Sequence, residues 1–143
     1  MQNYFLTTVK YERTAEEGKI VKVSEQHLVD ALSFTEAEAR INKEMQSFIS
    51  GEFFVDKIAR TKVNELFYND NADKWFKAKV NFISLDEIKG IEKKTPSFMY
   101  VQANDIKDAE ERLNEGMKKS MADYEIASIT ETKIIDVFKY KAE

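Results

Sequence analysis

Residue types that do chemistry are scarce in this chain. His27 is its one histidine and it has no cysteine, so two-histidine metal sites, thiolate zinc sites, iron–sulfur clusters and cysteine nucleophiles are excluded together. His27 falls on the side of an extended segment expected to face a helix, which predicts a packed, hydrogen-bonded core residue rather than a catalyst. The serines and threonines sit in neither a nucleophile-elbow nor a Ser-x-x-Lys context. The four glycines are too widely spaced for a phosphate-cradling loop, and neither Walker nor dinucleotide fingerprints occur. Asn69-x-Asn71-x-Asp73 has the opening spacing of a calcium loop. Lys74 stands where glycine is needed and Val80 where the bidentate glutamate belongs, so the run reads as a solvated turn. Glu65 and Asp136 occupy matched places in two similar halves; they read either as a facing carboxylate pair or as two solvated strand-end charges. No cofactor and no metal is expected. The chain reads as non-enzymatic, with an enzyme of unrecognised chemistry as a further alternative.

One pattern is richer. In Lys74-Trp75-Phe76-Lys77-Ala78-Lys79-Val80 the alternation of an extended strand puts Phe76, Ala78 and Val80 on one face and Trp75, Lys77 and Lys79 on the other. Phe98 and Tyr100 on a second strand join the tryptophan's face. A bare sheet face of this kind could stack bases on its rings, at about 1–3 kcal/mol per base, and hold a backbone with its lysines. The partner would be single-stranded DNA or RNA, with Arg60, Lys62 and Lys133 on long third strands as further backbone contacts. The competing reading buries the rings between repeats or between subunits, with the lysine stems lying along them and the charges at the rim. The partner is then a second copy of the chain, in a homo-oligomer, or another protein. A net charge of -4 and a pI near 5.2 argue against a surface coated by nucleic acid while leaving room for a local basic strip.

The elements that position these residues are written twice. Tyr4 to Tyr11 aligns with Trp75 to Phe82, Gly18 with Gly90, Val29 with Val101, Ala37-Glu38 with Ala109-Glu110, and Thr61-Lys62 with Thr132-Lys133. Each unit reads strand, turn, strand, helix, strand. The first strands are expected over 4–12 and 75–83, and Gly18 and Gly90 sit where a positive φ is wanted. Ser33 with Glu36 forms a capping box, and Asp105 with Asp108 a second version. The helical stripes are Phe34, Ala37, Ile41, Met45, Phe48 and Ile49, then Ile106, Ala109, Leu113, Met117 and Met121. Gly51 is placed to end the first helix in a left-handed conformation, and Glu115 to pair with Lys119. Each third strand runs long, Phe53 to Phe67 and Tyr124 to Phe138, bending near Ile58 or Ile129 where the alternation changes phase.

These elements predict one α+β domain over 1–143, a tandem duplication of a ββαβ unit (1–68 and 74–143, joined by the polar linker 69–73). Two three-stranded sheets, each with one helix, would form a pseudo-twofold arrangement of ferredoxin-like or fused-dimer type. At 143 residues the chain can bury a core without staples. Its lack of cysteine fits a reducing cytoplasm. No run approaches the roughly 18 apolar residues of a membrane span, so a membrane partner is not expected.

Two segments, Leu28-Val29-Asp30-Ala31-Leu32-Ser33-Phe34-Thr35-Glu36-Ala37-Glu38-Ala39-Arg40 and Met121-Ala122-Asp123-Tyr124-Glu125-Ile126-Ala127-Ser128-Ile129, resemble an uncharacterised domain-of-unknown-function family of about this length. The resemblance spans nearly the whole chain. It implies a small protein of gut anaerobic bacteria or their phages, acting on phage or host nucleic acid, and it brings no site residues with it.

Overall fold

A computed structural model describes residues 3–139. The chain divides into two compact units, one made of the residues up to Lys62 with those from Ile134 onward, the other of Val63–Lys133. Among the described residues the fold is mixed α+β, with two four-stranded sheets and two α-helices.

In the first unit, β1 (Tyr4–Thr14) and β2 (Ile20–Asp30) form a long antiparallel hairpin in unbroken register from Tyr4↔Asp30 to Thr14↔Ile20. Its turn holds both Glu17 and Gly18 at positive φ, 73° and 76°, which glycine takes freely and glutamate at a cost of about 1–2 kcal/mol. α1 (Phe34–Phe48) begins at the expected cap, Ser33. The Glu36 amide donates to Ser33 Oγ at 3.1 Å, and the Glu36 carboxylate reaches back to the Leu32 amide. The helix lays Ala37, Ile41 and Met45 against Phe5, Val9, Val29 and Ala31; burying each larger side chain is worth about 1.5–3 kcal/mol. β3 (Phe53–Thr61) runs antiparallel to β1 with a bulge at Thr8/Val9. The sheet is completed by a strand from far along the chain, β8 (Ile134–Phe138), parallel to β2, giving the order β3-β1-β2-β8.

The second unit is built on the hairpin of β5 (Lys74–Asp86) and β6 (Ile91–Ala103). Asp105 caps α2 (Ile106–Met117) by accepting from the Asp108 amide at 2.7 Å. Ala109, Leu113 and Met117 then pack on Phe76, Ala78, Val80, Met99 and Val101. β7 (Asp123–Glu131) is antiparallel to β5, and β4 (Glu65–Phe67) is parallel to β6, giving the order β4-β6-β5-β7.

The sheets have four strands where three were expected, because the long third strands break in two. Hydrogen bonds to residues far away in sequence accompany the break. The Thr132 amide and hydroxyl both donate to the Trp75 carbonyl, at 2.9 and 2.8 Å, ending β7. After β3, the Asn64 amide donates to the Phe98 carbonyl while Asn64 Oδ1 accepts from the Phe98 amide, both at 2.8 Å, which aligns the next residues along β6. Gly51 is not left-handed: α1 stops at Ile49 in an extended conformation, φ −109° and ψ 120°. Phe48 points to solvent, and Met121 lies beyond the end of α2 and is exposed. Glu115 pairs with Lys118 at 2.9 Å instead of Lys119. The 69–73 linker is a turn solvated only in part: Asp70, Asn71 and Asp73 are exposed, while Asn69 and Ala72 are buried. The Asn69 amide donates to Gln102 Oε1 and Gln102 Nε2 donates to the Ala72 carbonyl, each at 2.9 Å, sealing the turn onto β6. Among the described residues no helix is long and apolar enough to cross a membrane.

Candidate functional site

The sheet register gathers five of the residues singled out by sequence onto the face of β5 and β6 away from α2. Two rows cross it: Thr130, Lys77, Tyr100 and Leu66 in one, Ser128, Lys79 and Phe98 in the next, with Trp75 and Gln102 beside the first. Neither row contains a carboxylate. The rings are not equally presented, however. Trp75 is 2% exposed and Tyr100 3%, whereas Phe98 is half-buried and Lys77 and Lys79 are exposed. Tyr68 meets the indole edge-on, with centroids 5.4 Å apart. Burial pushes the Tyr100 phenol above its ordinary range. Lys77 Nζ sits 5.1 Å over the Phe98 ring, a cation–π contact that lies across a ring face a base would need. Farther along the same face, Lys94 bonds Glu125 at 2.9 Å and Asn81 donates to it at 3.2 Å; together they hold that carboxylate below its usual range.

The other three sequence-predicted residues lie elsewhere. Arg60, on β3 of the first unit, places its guanidinium 5.2 Å over Phe5 and 5.3 Å over Phe34, so it caps the core near the start of α1. Lys62 follows β3 in that unit, and Lys133 stands between β7 and β8; both are exposed. Glu65 and Asp136 belong to different sheets, opposite Met99 and His27 respectively.

The first unit holds a cluster of a different kind where β8 docks on β2. His27 is 2% exposed, lies opposite Asp136 and stacks on the Phe138 ring with centroids 5.6 Å apart. Neither ring nitrogen has a hydrogen-bond partner, which corrects the expectation of a hydrogen-bonded histidine. Glu25 Oε2 approaches Nε2 only to 3.5 Å, too long for a good hydrogen bond, while Oε1 accepts the Tyr11 hydroxyl at 2.6 Å. Burial lowers the imidazole's pKa against the opposing pull of Glu25 and Asp136. The Asp136 side chain is exposed, yet partial desolvation at the seam raises its carboxyl, with His27 opposing. Tyr11 also lines an open cleft of about 1280 Å³ beside the C-terminal half of α1, with Asn42, Gln46 and Phe53.

A family model described as Domain of unknown function (DUF4494) matches residues 3–140. The chain belongs to this family. No curated protein and no solved structure matches it.

In this DUF4494 chain the polar cluster around His27 is what reasoning from sequence missed. The signal was nonetheless there. At the positions aligned with Tyr11, Glu25 and His27 stand Phe82, Ser97 and Met99, whereas Asp136 keeps a carboxylate counterpart in Glu65. A buried histidine replacing methionine at one of two like positions marks a local requirement that packing alone does not impose.

Proposed function

We propose that this DUF4494 chain is a non-enzymatic assembly module: two copies of one ββαβ element, each giving its last strand to the other's sheet, whose sheet-face aromatics serve cohesion. The duplication is supported by the strand orders, which correspond when β1 is matched to β5, β2 to β6, β3 to β7 and β4 to β8. The burial of Trp75 carries the functional reading, because a stacking platform needs a ring face open to water and a 2% exposed indole has none. The partner is a second copy of the chain or another protein. Trp75 emission and solution mass test this together. Blue-shifted emission indifferent to an added oligonucleotide, with a mass that grows with concentration, is the expected result. Red-shifted emission that an oligonucleotide quenches at low salt and added salt restores would overturn it.

A second reading rests on the carboxylate-free rows carrying Lys77 and Lys79, whose exposed amines have no ion-pair partner among the described residues. A single strand could lie along them by its phosphates, with Phe98 as the one half-open ring. A setting among gut anaerobes and their phages, implied by the sequence resemblance, would bring such strands within reach. Loss of a low-salt gel shift in a Lys77→Glu, Lys79→Glu double variant would support this reading, and no shift with the parent chain would end it.

A further inference from the structure

We propose that His27 is a proton-sensitive latch on the chain's last strand: protonating the imidazole at the seam of β2 and β8 loosens β8, while the matching seam of β4 on β6, built on Met99, is indifferent to pH. The inference goes beyond the assembly reading and stands without it.

β8 is a five-residue parallel edge strand whose pairing with β2 is interrupted by a bulge at Gln26/His27. On the helix side Asp136 lies opposite His27, and Phe138 stacks on the ring while also packing against the core under α1. A neutral imidazole suits that place as a flat, mostly apolar surface. An imidazolium needs two acceptors, and Nδ1 and Nε2 both lack hydrogen-bond partners. Undocking β8 exposes the ring to water, where the cation is solvated. Protonation and undocking therefore favour one another.

Carboxylates nearby could reverse this by holding the cation in place. The groups that bear on His27 are Glu25 from its own strand and Asp136 from β8, and through these Tyr11 from β1 and Glu44 from α1. Their pull is weak for identifiable reasons. Glu25 is engaged by the Tyr11 hydroxyl at 2.6 Å and its second oxygen stays 3.5 Å from Nε2. Asp136 is exposed, so water screens its charge, and its carboxyl is raised above its ordinary range by desolvation. Burial is the largest influence on His27 and it lowers the folded pKa. A lowered histidine contributes stability that is complete above its unfolded value of about 6.5 and is lost as pH falls through the folded value.

The second seam is an internal control. There Glu65 lies opposite Met99, and Phe67 packs against Gly116 so closely that a Cβ there would come within 2.5 Å of its ring. No imidazole takes part.

The test is amide hydrogen exchange on the full chain at about pH 7.5 and 5.5, corrected for intrinsic rates, comparing Ile134–Phe138 with Glu65–Phe67. Protection of the β8 amides should fall by up to about tenfold at the lower pH, the limit set by an open-state histidine that titrates normally. β4 should not follow, and His27→Met, which copies Met99, should abolish the change. Parallel changes in both strands, or an undiminished loss in His27→Met, would overturn the latch. Should that variant fail to fold, the single histidine gives one Cε1–H resonance in the parent chain: a midpoint below 6.5 is expected, and one at or above it means the carboxylates hold the cation and the proposal is wrong.

Discussion

β8 against β2 and β4 against β6 are both short parallel pairings that close a four-stranded sheet, yet they are made of opposite materials. In one, Phe138 stacks on a buried histidine flanked by Glu25 and Asp136. In the other, Phe67 packs on a glycine of α2, opposite a strand carrying Met99 and Val101. The same backbone solution therefore does not require the same side chains. Hydrophobic burial and β-ladder hydrogen bonds suffice to dock a strand. Polar, titratable groups at one seam add sensitivity to conditions at the expense of stability, since a buried polar group without a partner costs about 1–3 kcal/mol.

Substitutions at matched places separate what the two units share from what they do not. The cores beneath the two sheets should respond alike and most strongly: Phe5→Ala and Phe76→Ala remove fully buried rings at matched places, and each should lower stability by about 3–5 kcal/mol in denaturant melts. A large inequality between them would count against the proposed duplication. Gly116→Ala should cost about 1–3 kcal/mol through collision with Phe67, despite alanine's better helix propensity, and should raise exchange at β4 before it raises it at β8. A stabilised variant would show that Phe67 yields. Removing the helix caps, Ser33→Ala or Asp105→Ala, should cost about 1 kcal/mol each, measured the same way.

What the sequence made legible and what it hid divide along physical lines. The helix starts, the turn glycines with φ of 76° and 66°, and the buried stripes Ala37-Ile41-Met45 and Ala109-Leu113-Met117 were readable because each is fixed by its own few residues. The destination of the third strands was not. Ile134 to Phe138 and Glu65 to Phe67 continue a strand pattern without a proline or glycine to mark the break, and which sheet they join depends on hydrogen bonds from Thr132 and Asn64 to residues 57 and 34 positions away. Trp75, Lys77, Lys79, Phe98 and Tyr100 do share a face, as alternation required. Alternation fixes which side a ring takes, and tertiary packing decides whether that side is open; for Trp75 and Tyr100 it is closed.

The pairing of the last strands is what the account depends on most, and backbone nuclear Overhauser contacts read it directly. Contacts between Val29 and Phe138 and between Phe67 and Val101 are predicted. Contacts instead between Val29 and Phe67, or between Val101 and Phe138, would mean that each half keeps its own strand, contradicting the exchange.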